Sequence, residues 1–296
     1  MNFLKAIFGN KEENEIEKSE EEAKKNFDIL KYDGIRALKT HQAEYAIKCF
    51  SHALELQEDL EIRDYYSQAL MINNDLAGAY EQLQKLAEAK PRHVEIWIRM
   101  AEVANMMDNY GAMADACEKA LMTDAENSQV YLLYGKACLG QGDQPNAIAM
   151  LTKAVMLKDD LYDAYLLRGQ TYFEEGDIEA ADEDALLLLK HLPDQEETLL
   201  LKARIEKTRE NANQAIEYFT KAIDANPFCL VAFEERGPLR QLLGDSVGAD
   251  EDAKTAQELR DQLNSVSKQG YGGQDITQKV LQAYKDVDAY GIMGNS

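Results

Sequence analysis

Small and hydrophobic residues recur along the chain with a period of about 34 residues. One phase of this period is always occupied by a small residue, which we call the anchor: Gly34, Ser67, Ala101, Gly135, Gly169, Ala203 and Gly237. Twelve residues after the anchors stand Ala46, Ala79, Met113, Ala147, Ala181, Ala215 and Ala249. Within each period the apolar residues are spaced by three, four and seven, as on one face of an α-helix. The pattern therefore predicts a helical unit repeated seven times.

A helix-breaking residue divides most of these units into two halves. Seven residues after the anchors stand Gly142, Gly176 and Gly244, with Asn74, Asp108 and His41 at the equivalent places in the first three units. Glycine, asparagine and aspartate tolerate the left-handed backbone conformation that ends a helix. Pro91, Pro193 and Pro227 close three units at a common phase, where proline stops a second helix. Each unit is thus predicted to be a helical hairpin.

The repeated pattern resembles the tetratricopeptide repeat (TPR) family over residues 27–263. The resemblance is carried by units such as WIRMAEVANMMDNY from Trp97, YLLYGKACLGQGDQPNAIAMLTKA from Tyr131 and AYLLRGQTYFEEGD from Ala164. It implies an all-α, right-handed superhelical solenoid of about seven helix-turn-helix units with a C-terminal capping helix. The expected repeats are residues 27–59, 60–93, 94–127, 128–161, 162–195, 196–229 and 230–263.

Both ends of the repeat array are expected to carry additional segments. Residues 1–26 are rich in charge and predict a solvated helical or disordered arm. Residues 264–274 contain KQGYGG and predict a flexible linker. In residues 275–296 a helical stripe is formed by Ile276, Val280, Leu281, Tyr284 and Val287. We interpret this segment as a capping helix and tail because a terminal repeat needs a cover; a detachable recognition segment is the alternative.

Composition and charge exclude several classes of partner. The 296 residues include 54 acidic and 32 basic side chains, for a formal net charge of −22. Nucleic acid and anionic membranes are bound through Lys and Arg, so neither is an expected partner. No stretch approaches the roughly 20 apolar residues that span a bilayer. The four cysteines show no CxxC pair or regular spacing, which fits a reducing compartment, and we expect a cytoplasmic protein.

No residue pattern in the sequence indicates catalysis or cofactor binding. The four histidines are not in an HExxH motif or at metal-ligand spacing. Gly140 and Gly142 form a GxG that follows a predicted helix, which excludes a phosphate-binding loop after a strand. We therefore expect a protein that is not an enzyme and has no catalytic residues, metal or cofactor.

The TPR resemblance implies that the first helix of each unit lines a concave groove that binds a peptide or a partner helix. The candidate groove residues are Ile98, Leu132, Lys136, Leu139, Leu166, Gln170, Phe173, Leu200 and Arg204. The aliphatic members would supply apolar contact, and the polar ones would orient the bound segment. Beside them runs an acidic row, formed by Asp28, Glu61, Glu95, Asp163 and Glu197. Each row also has a simpler structural interpretation. The aliphatic residues would pack in the protein core, and the acidic residues would interact favourably with the helix dipoles.

Two functions follow from this interpretation. The first is a scaffold or adaptor whose groove binds an amphipathic or partly basic segment of a partner protein. The alternative is a self-assembling structural protein, a homo-oligomer whose groove is occupied by its own C-terminal tail.

Overall fold

In the computed structural model, the described backbone runs from Phe3 to Ser267 and the described side chains from Ser19 to Gln262. All regular elements within these residues are α-helices, which confirms the all-α prediction. The capping helix predicted at residues 275–296 lies outside the described residues. None of the helices from Phe3 to Ser267 has the length and apolar character needed to cross a bilayer.

The described helices fall into two larger compact units, each made of several of the predicted repeats. The first of these units ends at Thr123, and the second begins at Asp124. The first contains α1 (Phe3–Lys39), α2 (Ala43–Leu56), α3 (Leu60–Ile72), α4 (Leu76–Ala89), α5 (Val94–Met106) and α6 (Tyr110–Thr123). The second contains α7 (Ser128–Gly140), α8 (Gln144–Leu157), α9 (Tyr162–Glu174), α10 (Ile178–His191), α11 (Glu196–Thr208), α12 (Ala212–Ala225), α13 (Leu230–Leu242) and α14 (Ser246–Ser267). Each odd-numbered helix packs on the next even-numbered helix, so the units contain three and four hairpins.

The hairpins form because small residues allow their two helices to approach closely. The anchors are buried in all seven hairpins. A Cβ atom added to Gly135 would lie 2.7 Å from Leu151 Cγ of the partner helix, so no larger residue fits there without a shift. Short polar side chains then start the second helices: the Asp143 and Asp177 carboxylates accept hydrogen bonds from the backbone N–H groups of Asn146 and Ala180.

A left-handed residue ends the first helix of every hairpin. The backbone angle φ is positive at His41, Asn74, Asp108, Gly142, Gly176, Glu210 and Gly244. The sequence pattern identified six of these seven positions, and the structure adds Glu210 at the same phase. The turn residues thus repeat as regularly as the anchors do.

The structure describes part of each of the two terminal segments predicted from the sequence. Helix α1 continues without a break across residue 26, so the charged arm and the first helix of the first hairpin are one helix. Helix α14 continues to Ser267, so residues 264–267 are helical, and the rest of the predicted linker lies outside the described residues.

Candidate functional site

Four of the predicted groove residues line one cavity of about 250 Å³ in the second unit. Gln170 and Phe173 come from α9, and Leu200 and Arg204 come from α11. Glu174, Glu197 and Leu201 complete the lining. The cavity therefore lies between the first helices of two successive hairpins, the place where the TPR resemblance puts a groove.

Helical spacing explains why these side chains share one surface. The three residues from α9 are separated by three and one positions, and those from α11 by three, one and three, so each set occupies one helix face. Gly169 permits the close approach of the two helices, since a Cβ atom there would lie 3.2 Å from Leu201 Cδ2. The small anchor of the fifth hairpin thus positions the wall of the cavity.

The apolar lining of the cavity is only partly covered by the protein itself. Phe173 and Leu200 are half-buried, as are Gln170 and Arg204, while Leu201 is buried behind them. These side chains retain surface that a bound segment can cover, at about 25 cal/mol for each Å² of apolar area removed from water.

The other predicted groove residues divide into two groups. Lys136 and Leu139 on α7 and Leu166 on α9 are half-buried but do not line the cavity. Ile98 and Leu132 are buried, with 7% and 2% of their surface exposed, so they belong to the core and cannot contact a partner. Ile98 also belongs to the first unit. For Ile98 and Leu132, packing in the core explains the aliphatic side chain, and a role in the groove is not needed.

The charges around the cavity leave an excess of negative charge. Arg204 Nε donates to Glu235 Oε1 at 2.8 Å, and Lys207 Nζ lies 3.2 Å from Glu235 Oε2, so one carboxylate of α13 engages both cations. Glu174 and Glu197 are exposed and form no ion pair with any of the described side chains. An incoming cation would therefore find two carboxylates unoccupied, whereas an incoming anion would have to compete with Glu235 for Arg204.

Helix dipoles account for only part of the acidic row. Glu61, Glu95, Asp163 and Glu197 lie in the first turns of their helices, where a carboxylate is stabilised by the dipole. Asp28 lies in the interior of α1, so the dipole does not account for it. Glu174 is the last residue of α9, the end of a helix at which the dipole disfavours a negative charge.

A buried ion network lies on the other side of α11 from the cavity. Lys202 Nζ bridges Asp182 and Glu206, and Arg209 Nη1 donates to Asp182 Oδ2 at 2.6 Å. Burial raises the pKa of the Asp182 carboxyl, but the hydrogen bonds from Lys202 and Arg209 outweigh it, so the pKa is lowered. The pKa of Lys202 is raised because its bonds to Asp182 and Glu206 outweigh desolvation. The network holds the side of α11 that faces away from the cavity, and it thereby positions the cavity-lining residues on the opposite side of the helix.

Sequence reasoning missed three residues that shape the site. Glu174 stands four residues after Gln170, so helical spacing was a signal for it. Leu201 and Glu235 carried no such signal, because their roles depend on how α11 packs against α9 and α13. Within the described residues, no group of three His, Cys, Asp or Glu side chains is arranged to hold a metal ion.

Comparison with known proteins gives a family match for two of the seven hairpins. The family model described as tetratricopeptide repeat matches residues 162–190 and 196–229, which include α9 to α12 and the cavity. No curated protein sequence gives a significant match.

Several solved structures share the fold at low sequence identity. A tetratricopeptide repeat protein from Parabacteroides merdae has a TM-score of 0.59 at 16% identity, covering 80% of this chain and 94% of that one. PilF from Pseudomonas aeruginosa has a TM-score of 0.57 at 17% identity, covering 73% and 99%. YrrB, described as a TPR protein with an unusual peptide-binding site, has a TM-score of 0.51 at 15% identity, covering 69% and 97%. The chain thus shares its fold with these structures, and the tetratricopeptide repeat is matched by sequence at residues 162–190 and 196–229.

Proposed function

We propose that this protein is a scaffold that holds a segment of a partner protein at the cavity between α9 and α11. The observation that carries the proposal is the juxtaposition of half-buried Phe173 and Leu200 with the unoccupied carboxylates of Glu174 and Glu197. A likeness of fold to YrrB, a protein described as having a peptide-binding site, supports the same class of function. The proposal assigns the chain a binding role in the cytoplasm, without catalysis.

The chemistry of the cavity favours an amphipathic or partly basic segment. An apolar side chain would cover Phe173 and Leu200, and a neighbouring Lys or Arg would lie beside Glu174 or Glu197. The cavity of about 250 Å³ falls below the roughly 300–1,000 Å³ of small-molecule pockets, so a side chain of a protein suits it better than a cofactor.

A single partner side chain bound in this cavity cannot supply enough free energy for a stable complex. Burial of one large apolar side chain contributes about 1.5–3 kcal/mol, and an exposed ion pair about 0.2–1 kcal/mol. A micromolar dissociation constant needs about 8 kcal/mol. The bound segment must therefore extend beyond the cavity, and Lys136, Leu139 and Leu166, which are half-buried in the same unit, are the proposed continuation of the contact.

The proposal can be tested by selecting binders from a displayed library of random peptides with the full-length protein. We expect the selected peptides to combine a basic residue with a neighbouring apolar one. Phe173→Ala with Leu200→Ala should weaken their binding at least tenfold, by removing the apolar contact. Glu174→Gln with Glu197→Gln should weaken it a few-fold and reduce its dependence on salt.

The matched control is Leu186→Ala, because Leu186 is an exposed leucine of α10 outside the cavity lining. This variant should bind the selected peptides as the unmodified protein does. Circular dichroism establishes that each variant keeps its helical content. Selected peptides whose binding does not change in the Phe173→Ala, Leu200→Ala variant would remove the cavity from the proposed function.

A further inference from the structure

One face of helix α1 is left uncovered by the described part of the molecule. The face carries Glu22, Lys25, Ile29, Tyr32 and Arg36, all of them exposed, and we call it the α1 stripe. Successive members are three, four, three and four residues apart, which is the spacing of the contact positions in a two-helix coiled coil. This spacing places all five side chains on one side of α1, where a second helix can lie along them.

The rest of α1 packs in the first hairpin. Phe27 and Gly34, on the opposite side of the helix from the α1 stripe, are buried, and α1 packs on α2 and α3. Helix α1 has 37 residues, whereas the first helices of the other six hairpins have 13 each. The additional length extends the uncovered face of α1 beyond the hairpin.

The centre of the α1 stripe is apolar. Ile29 and Tyr32 are 48% and 69% exposed and lie one turn apart on the helix. Charged residues flank these two side chains in both directions along α1. An apolar centre with a charged rim is the arrangement of a protein–protein contact, in which the centre excludes water and the rim sets the orientation.

The charges around this centre are self-complementary. Lys25 stands four residues before Ile29, and Asp33 stands four residues after it. Glu22 and Arg36 stand seven residues before and seven residues after Ile29. In two antiparallel copies related by a two-fold axis at Ile29, residues equally far before and after Ile29 face each other. Lys25 then faces Asp33 of the second copy, Glu22 faces Arg36, and the axis repeats both contacts.

The local charge balance also favours a contact at this place. Two copies of a chain with a net charge of −22 repel each other. The contact adds no net charge, because Lys25 and Arg36 supply two positive charges and Glu22 and Asp33 two negative ones. Within one chain, Arg36 Nη2 lies 2.7 Å from Asp33 Oδ1, whereas Glu22 and Lys25 form no ion pair with any described side chain. Glu22 and Lys25 are therefore available to a second copy.

We propose that two copies of this chain pair through α1, antiparallel, about a two-fold axis at Ile29. The symmetric overlap runs from Ser19 to Lys39, a helical length of about 30 Å. Ile29 contacts its own equivalent at the axis, Tyr32 covers this contact from both sides, and the charged pairs flank it. The pairing uses no residue of the cavity between α9 and α11, so it is a second interaction surface that does not depend on the proposed function.

Charge reversal in the full-length chain tests the proposal. Lys25→Glu with Arg36→Glu makes every charge of the contact negative, and Glu22→Lys with Asp33→Lys makes every charge positive. We expect the unmodified chain to sediment as a concentration-dependent dimer and each double variant to associate at least tenfold more weakly. A mixture of the two double variants should restore the dimer, because unlike charges again face each other. A loss of association caused by unfolding would not be rescued in this way.

Cysteine cross-linking tests the direction of the two helices. Ile29→Cys places two thiols at the axis and should give a disulfide-linked dimer under mild oxidation, and the four native cysteines are buried and can be retained. Lys25→Cys is the matched control, because this thiol is exposed on the same stripe but lies about 12 Å along the helix from its equivalent in an antiparallel pair. A disulfide bridges Cα atoms that are at most about 7 Å apart. Ile29→Cys should therefore cross-link at least tenfold faster than Lys25→Cys.

Several results would overturn the proposal. A full-length chain that sediments as a monomer at every concentration leaves the α1 stripe to another occupant, such as the C-terminal residues of the same chain or a different protein. A dimer that persists in both double variants, or that their mixture does not restore, is not held by these charges. Equal cross-linking of Ile29→Cys and Lys25→Cys contradicts the antiparallel arrangement. Met122→Glu, at an exposed methionine of α6, is the control for a change of surface charge and should dimerise as the unmodified chain does.

Discussion

The two units of the molecule bury their charged residues in different ways. In the second unit one polar contact recurs. Arg168 on α9 donates to both carboxylate oxygens of Asp184 on α10, at 2.9 and 2.6 Å, and to Thr152 Oγ1 on α8, at 3.2 Å. Two hairpins later, Arg236, Asp252 and Thr220 repeat the arrangement at the same sequence separations. Each arginine thus joins the second helices of two successive hairpins.

The first unit contains no equivalent of this arrangement among its described side chains. The residues just before its anchors are Asp33, Tyr66 and Met100, none of which is an arginine. Instead, Arg99 on α5 pairs with Asp64 on α3, and both side chains are 2% exposed. This pair joins the first helices of two hairpins across 35 residues of sequence.

The difference shows which parts of a repeat are dictated by the backbone and which are not. Small anchors and left-handed turn residues recur in both units because every hairpin needs them. The buried polar contact recurs only where the same three residue types return at the same phase. The family model likewise matches residues of the second unit and none of the first.

The largest expected effect is the loss of stability when either of these two kinds of buried ion pair is broken. Asp64→Ala removes a carboxylate that pairs with Arg99 where both side chains are 2% exposed, and we expect it to destabilise the first unit by about 3–5 kcal/mol. Asp184→Ala should cost less, about 2–3 kcal/mol, because Arg168 is 14% exposed and keeps Thr152 as a partner. Hydrogen exchange, which resolves local stability within a repeat array, can measure both losses.

The control for these variants is an ion pair of the same kind on the surface. Glu217→Ala breaks the exposed pair with Lys221 and should change stability by less than about 0.5 kcal/mol. Equal losses in Asp64→Ala and Asp184→Ala would mean that the two units do not differ in how they hold buried charge.

The same contrast explains how much of the structure was predictable. Anchors and turns were visible in the sequence because steric requirements restrict them to a few residue types. The Arg99–Asp64 pair was not visible, because a charged residue in a sequence is normally a surface residue. The candidate site was only half predictable. Leu132 and Leu166 occupy the same phase, yet only Leu132 is buried, since burial depends on which side chains the neighbouring helices present.

A second prediction compares two glycine anchors. A Cβ atom on Gly34, in the first unit, would lie 2.5 Å from Phe50 Cε1, whereas on Gly237, in the second unit, it would have 3.5 Å to Asp252 Cβ. Gly34→Ala should destabilise the protein by about 1–3 kcal/mol through overpacking. Gly237→Ala should destabilise it less than Gly34→Ala does, because the added Cβ meets α14 only at an ordinary van der Waals distance. It should bring no net gain, because Pro238 follows in α13 and disfavours the helical conformation of a preceding residue that has a Cβ, which offsets the higher helix propensity of alanine.

Denaturant unfolding monitored by helical circular dichroism can measure both glycine effects. Gly111→Ala is the matched control, since Gly111 is an exposed glycine of α6 and the nearest atom to its added Cβ is 3.8 Å away. A Gly34→Ala variant as stable as the control would show that the Phe50 ring can move aside, and the close approach would then not restrict this anchor.

A third prediction concerns the pH dependence of the second unit. The pKa of the Glu206 carboxyl is lowered, because hydrogen bonds from Lys202 and Asn211 outweigh the opposing effect of burial. The pKa of Asp182 is lowered in the same way. A lowered folded-state pKa contributes stability above the unfolded pKa, about 3.9 for Asp and 4.3 for Glu, and this stability is lost as the pH falls through the folded-state value.

Hydrogen exchange in α11 should therefore accelerate as the pH falls below about 4, after correction for the intrinsic pH dependence of exchange. The Asp182→Asn, Glu206→Gln variant should show a weaker acceleration over the same range. Glu217→Gln, which alters an exposed carboxylate, serves as the control and should follow the unmodified protein. An unchanged acid response in the double variant would show that other carboxylates govern it.

The smallest expected effect lies in the turns, which also differ between the units. The first unit places His41, Asn74 and Asp108 at its three left-handed positions, whereas three of the four in the second unit are glycine and the fourth is Glu210. A left-handed conformation costs most residues about 1–2 kcal/mol, partly offset by the greater backbone entropy that glycine loses on folding. Glu210→Gly should therefore stabilise the protein by about 0.5–1 kcal/mol, measured as a higher urea midpoint. Asn74→Gly should gain less, because asparagine already tolerates this conformation; equal gains would show that the side chain at this position does not set the cost of the turn.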